Sequence, residues 1–513
     1  MKRLDSWSVV LVTAALIVVV VGSAFAFDVT SVRASLALDP HQHSPHAQPL
    51  IPLGLEWADS SFRESTALPG AEVVSHFAGG RDASRRVGAG SRMIYTGTSA
   101  IEPTLGFDKE GNLFFQGARL GELPIPIVVV SRDQGRSWDD VTPPTHTHTR
   151  DPMLYVDPRT SRVFVADLTH VACTTVSHSD DVGQSWITSE ACGLTDHQNV
   201  FAGPSVFSPT IGYPQVVYLC AIDGGTLVWA STATSCLKSL DGGITWTRTG
   251  APAYTDDPRQ GAGDFGIPGA CGGGAGHGVV DSKGIIYLPR GWCEQPYLAI
   301  SKDEGATWER IQVADIGMPQ GRDWTGRYWD HEAAVAVDTK GNIYYFWVAH
   351  DRLPYLAISS DGGNTFAKPM MIGSPGLKEA WGPKIEVGDV GKVALAYVGS
   401  TTAPGGKSPT GVGPKYDPKA VSWNGYITTS LDVLSKRPRF FTASVNHPSD
   451  PIMRGECAVT TCGVQFDFID VVIGPDGRPW ASMVDGCPPP GKPCDAYPGL
   501  GFVGTVVGGS KLR

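Results

Sequence analysis

Asp330, His331 and Glu332 stand in a row immediately before the apolar run Ala333 to Val337. Two carboxyl groups beside an imidazole can divide general acid and general base roles between them. These three residues are therefore the expected catalytic group. The same place, just ahead of an apolar run, is taken elsewhere by Glu102, Asp151, Asp196 with His197, His277, Lys384, and Asp467 with Asp470. Brought together, Glu102, Asp151, His197, His277 and Asp467 could bind a ligand through polar contacts or hold a divalent metal ion. Hard oxygen ligands of this kind suit Ca²⁺. No other cofactor is implied. Some of these side chains also have a plainer use, which is to end strands and satisfy turn backbones.

What would carry such residues to one place is an internal repeat, Ser-x-Asp-x-Gly-x-Ser/Thr-Trp. It occurs at Ser131-Asp133-Gly135-Ser137-Trp138, at Ser179-Asp181-Gly183-Ser185-Trp186 and at Ser239-Asp241-Gly243-Thr245-Trp246. Two more copies follow, Ser301-Asp303-Gly305-Thr307-Trp308 and Ser359-Asp361-Gly363-Thr365-Phe366. Each follows a β-rich run such as Ile127 to Val130, so each reads as a hairpin in which Asp accepts backbone N–H bonds and Gly takes a positive φ. Successive copies begin 48, 60, 62 and 58 residues apart, enough for one four-stranded antiparallel blade each. A second repeat, two apolar strands about an Asp and a Gly turn, precedes each box, as in Leu105 to Leu113 and Val335 to Ile343. That strand pair continues at Ile385 to Asp389, with a relic box at Ser430-Leu431-Asp432, and again at Val471 to Gly477. Counting strand pairs predicts an all-β, seven-bladed β-propeller, with six blades as the alternative. In that fold the polar residues ahead of the innermost strands converge on one mouth of the central channel. The repeat aspartates lie toward the rim and are expected to be structural.

The repeat is similar to the Asp box, or BNR repeat, of the sialidase-like β-propeller superfamily. The segment Gly276 to Val280 through Ile286 to Pro289 resembles the Gly-rich strand pair that such enzymes carry before an Asp box, and Glu332 looks like their catalytic Glu. The family's arginine triad is not matched: Ile101-Glu102-Pro103 stands where its Arg-Ile-Pro motif belongs, and His350 falls about where its second Arg would come, with Arg352 out of step. A carboxylate at Glu102 would repel the carboxylate of sialic acid. The resemblance therefore implies a glycosidase-like or glycan-binding propeller over residues 96–510, but not an exo-sialidase. The runner-up is a noncatalytic extracellular binding module, possessing a divalent ion or not. Trp292, Trp324, Trp329 and Trp381 are candidates to stack on sugar rings, or else to anchor loops.

Composition agrees with this organisation. The chain has 513 residues, of which 62 are Gly and 39 Pro, many more turn formers than a helical protein carries. Its formal net charge of −10 excludes the basic field needed to bind nucleic acid. Residues 1–26 combine a basic head, an apolar run and Ala24-Phe25-Ala26, and read as a signal peptide for export; an uncleaved membrane tether is the alternative. Residues 27–95, with the Pro/His-rich stretch from Asp39 to His46, read as a flexible stalk carrying a ring-closing strand, and 96–513 as the propeller of a secreted or cell-surface monomer. Ten cysteines in close pairs predict disulfides Cys173–Cys192, Cys220–Cys236, Cys271–Cys293, Cys457–Cys462 and Cys487–Cys494.

Overall fold

The computed structural model describes residues 64–65, 73–78, 85–87, 90–119, 124–145, 148–149, 151–169, 173–223, 233–257, 271, 274–318, 333–403, 421–447, 449–455, 469–487 and 499–513. The described residues contain strands and turns and no helix. They form a seven-bladed β-propeller. Blades 1 to 6 run outward in chain order from their innermost strands, which are Thr104–Phe107, Pro152–Val156, Asn199–Gly203, Val279–Val280, Ala334–Val337 and Glu379–Val387. Blade 7 has Asp470–Ile473 innermost, then Pro479–Asp485 and Leu500–Val507. Its fourth strand is Gly90–Ser99, paired antiparallel with Leu500–Val507. Chain segments from opposite ends of the fold thus close the ring. The segment expected to be a stalk also contributes Val73–Phe77 and Arg85–Val87 to the outer edge of blade 6.

Strands in the middle of each blade are buried on both faces, because every blade is covered by its two neighbours. Val216–Ile222 and Val393–Ser400 are buried along their whole length, and both read as nearly continuous apolar runs. The innermost strands crowd closest around the axis, so small residues occur there: a Cβ on Gly203 of blade 3 would lie 2.2 Å from Val280 of blade 4.

The repeated hairpins share one set of bonds. In the first, the Ser131 hydroxyl donates to Asp133 at 2.8 Å and accepts the Gly135 N–H at 2.6 Å, while Asp133 accepts the Ser137 N–H at 2.8 Å and hydroxyl at 2.7 Å. Gly135 needs φ +88° to turn there. The set recurs at Asp181, Asp241, Asp303 and Asp361. In the sixth blade Ser430 still donates to Asp432, but Asp432 accepts from Arg439 N–H instead of a hydroxyl-bearing residue. The aromatic also reaches the preceding blade: Trp186 donates to the Val141 carbonyl and Trp246 to the Ser189 hydroxyl.

Three expected disulfides are present, Cys173–Cys192, Cys220–Cys236 and Cys271–Cys293. The first two join directly paired residues on neighbouring strands. Cys487 is disulfide-bonded too, while Cys457, Cys462 and Cys494 lie outside the described residues. Disulfides of this number fit an oxidising compartment. Among the described residues no helix is long and apolar enough to cross a membrane. The expected signal, residues 1–26, lies outside them.

Candidate functional site

The innermost strands of all seven blades enclose a channel cavity of about 520 Å³. Its lining mixes apolar residues such as Leu105, Val200, Val335 and Val472 with polar and charged ones. His277 precedes the inner strand of blade 4 and Asp470 begins that of blade 7, yet His277 Nδ1 lies 3.9 Å from Asp470 Oδ1. The two groups therefore span the ring. Asp470 is oriented by the N–H of Val471, donating at 2.8 Å, and by that of Leu105 at 3.5 Å. Lys384 of blade 6 also lines the cavity, with 2% of its surface exposed.

Further along the channel, Glu386 follows Lys384 by two residues and so shares its side of the strand. Arg513 approaches Glu386 at 3.5 Å. Burial within the channel pushes the Glu386 carboxyl up to about 7, Arg513 opposing the rise and Asp470 adding to it. Tyr155 of blade 2 lines the same space, and its hydroxyl is pushed well above the ordinary range, first by burial and then by the charge of Asp157. The channel thus offers an imidazole, a lysine, a carboxylate and a second carboxyl group held above the usual carboxylate range. Such a set can donate and accept protons or grip hydroxyl groups.

The other expected ligand-binding residues are placed differently. Glu102 is 1% exposed with φ +51°, its preceding residue Ile101 exchanging backbone bonds with Ala118. Asp151 offers its carbonyl to the Leu168 N–H and the Gln198 side chain. His197 has φ +54°, and its backbone N–H donates to Asp196. None of Glu102, Asp151 or His197 lines the channel cavity. Asp330, His331, Glu332 and Asp467 lie outside the described residues. Ala333, which follows Glu332, packs against the segment leading to His277: a Cβ on Gly276 would meet the Ala333 carbonyl at 1.8 Å. Among the described residues no group of three His, Cys, Asp or Glu is placed to hold a metal ion.

No family model matches the chain, and no curated protein matches it. Solved structures do. A protein of unknown function from Dyadobacter fermentans DSM 18053 is 14% identical over 80% of this chain and 94% of its own, with a TM-score of 0.41. The Hadza microbial sialidase Hz136 is 15% identical over 63% of this chain and 68% of its own, with a TM-score of 0.41. Aleuria aurantia lectin is 11% identical over 69% and 97%, with a TM-score of 0.39.

Two of the aromatic candidates are committed to packing. Trp292 donates to the Thr255 carbonyl and meets Tyr297 edge-on at 5.0 Å, and Trp381 is 1% exposed. Trp324 and Trp329 lie outside the described residues. Sequence reasoning passed over Glu386 and Asp167. The spacing of Glu386 from Lys384 was a usable signal, since period two puts both on one side of a strand. Asp167 breaks the apolar run Val163 to Leu168, is 1% exposed and accepts a bond from Gln116 of blade 1 at 3.0 Å.

Proposed function

We propose that this chain is an exported, sialidase-like propeller that binds or processes extracellular glycans at its central channel. The observation that carries the reading is the His277–Asp470 pair, set with Lys384 in a cavity framed by all seven inner strands. A concave cavity on which polar groups converge is a form that small-molecule sites take. In the catalytic version, Glu332 and Asp330 act as the acid/base pair on a glycosidic bond, with His331 beside them, and the separation of the carboxyl groups sets the stereochemical outcome. Exo-sialidase activity is not expected, since Glu102 replaces the arginine that would hold a sialic acid carboxylate.

A panel of reporter glycosides and glycan-binding assays tests this. Hydrolysis that falls at least a hundredfold in Glu332→Gln, with an unchanged melting temperature, supports catalysis. Glycan binding that is lost in His277→Ala, with no turnover of any reporter, supports a noncatalytic binding module. Binding indifferent to His277→Ala and Lys384→Met removes the channel as the site.

A further inference from the structure

A second cleft, of about 250 Å³, lies on the flank of blade 1 and shares no lining residue with the channel. Arg119, the last residue of the strand Leu113–Arg119, lines it and is half-buried, yet among the described residues its guanidinium has no hydrogen-bond or ion-pair partner. Other partly buried arginines are engaged: Arg162 with Asp180 and the Gly242 carbonyl, Arg352 with Glu379. A planar fork of five donors, partly withdrawn from water and left without an acceptor, matches a carboxylate. Asp140 lines the same cleft. Its Oδ1 accepts the Thr142 N–H at 2.9 Å and hydroxyl at 2.6 Å, which holds the carboxylate in place; Oδ2 has no hydrogen-bond partner among the described residues. Ile125, 40% exposed, and the exposed Pro144 form an apolar wall that loses little entropy on contact.

We propose that this cleft is a subsite for a carboxylate-bearing sugar residue, such as a hexuronate. Arg119 takes its carboxylate, Asp140 accepts from its hydroxyl groups, and its C–H face rests on Ile125 and Pro144. A simple anion would satisfy Arg119 alone and be opposed by Asp140; a sugar acid satisfies both. The ligand class rests on the glycan reading, but none of these residues belongs to the channel.

Titration of the full chain with glucuronate, glucose and a Glu-containing dipeptide, followed by calorimetry, tests the assignment. Glucuronate should bind more tightly than either of the others and weaken at least tenfold in Arg119→Gln, with Arg119→Lys intermediate because it keeps the charge and loses the fork. Asp140→Asn should narrow the preference for glucuronate over the dipeptide. Melting temperatures of the variants show that they fold. Glucuronate binding that survives Arg119→Gln, equal binding of the dipeptide, or no glucuronate binding overturns the proposal. Glycan binding lost in His277→Ala but kept in Arg119→Gln would leave the channel reading standing without this subsite, and the reverse pattern would leave the subsite without the channel.

Discussion

The burial of Asp167 favours its protonated form in the folded protein. Burial pushes its carboxyl up to about 8, against the downward pull of the Gln116 bond. An unfolded Asp titrates near about 3.9. Between about pH 4 and 8 the folded state therefore binds a proton that the unfolded state has lost, so this contribution to stability is full below about pH 4 and disappears as pH rises through about 8. Asp167→Asn keeps a hydrogen-bonding partner for Gln116 and removes the ionisation. Its urea midpoint should decline less than that of the parent protein between about pH 5 and 8.5. Equal declines would show that another group holds the proton. His178, 2% exposed, has the opposite sign: burial, with Arg162 adding, pushes it down to about 4, so its contribution is present at neutral pH and fades as pH falls from about 6.5 through 4.

At the scale of the elements, the hairpins do more than turn the chain. In the fourth repeat, Glu304 follows Asp303 with φ +56° and is 1% exposed. One of its carboxylate oxygens accepts the N–H groups of Val206 at 2.8 Å, Phe207 at 2.8 Å and Ser208 at 3.1 Å, all on the loop after the inner strand of blade 3. Lys238 closes the group at 2.8 Å. Burial would raise this carboxyl, but the Lys238 bond and the donors of Phe207 and Ser208 outweigh it and hold it well below the usual carboxylate range. Glu304→Gln keeps the size, removes the charge facing Lys238, and, with its amide oxygen kept toward the backbone N–H groups, turns an amide donor toward the Lys238 ammonium. A loss of about 3 kcal/mol is expected, as when one member of a buried pair is removed. Urea unfolding would measure it, and limited proteolysis should locate new cleavage near Phe207. An unchanged midpoint would show that the loop holds itself.

For the whole molecule, stability depends on closing the ring. The four inner strands of each of blades 1 to 6 are continuous in sequence, whereas blade 7 takes Gly90–Ser99 from one end of the fold and its strands between Asp470 and Val507 from the other. Ile94 of the closing strand is 0% exposed, pairs with Val503 and packs beside Leu113 and Val129 of blade 1. Ile94→Asp places an unpaired charge in that seam. It should cost more than about 3 kcal/mol and broaden the unfolding transition as the ring opens before the blades melt. A sharp transition at the original midpoint would show that the seam does not limit stability.

Five repeats with their Asp, Gly and aromatic positions were legible because each hairpin is a local solution, made from bonds within eight residues. The strand pairs beyond the fifth box were legible too, and they carried the count to seven. Close cysteine spacing marked three disulfides, and for Cys173–Cys192 and Cys220–Cys236 the reason is the same: neighbouring strands of one blade are neighbours in sequence. The partnership of His277 with Asp470, 193 residues later, was not readable, since it depends on how seven blades share one axis. Nor was the burial of Glu102 away from the cavity, or the placing of Arg119 in a cleft with no partner among the described residues. Local hydrogen bonding determined the blade, and closure of the ring decided which polar side chains meet.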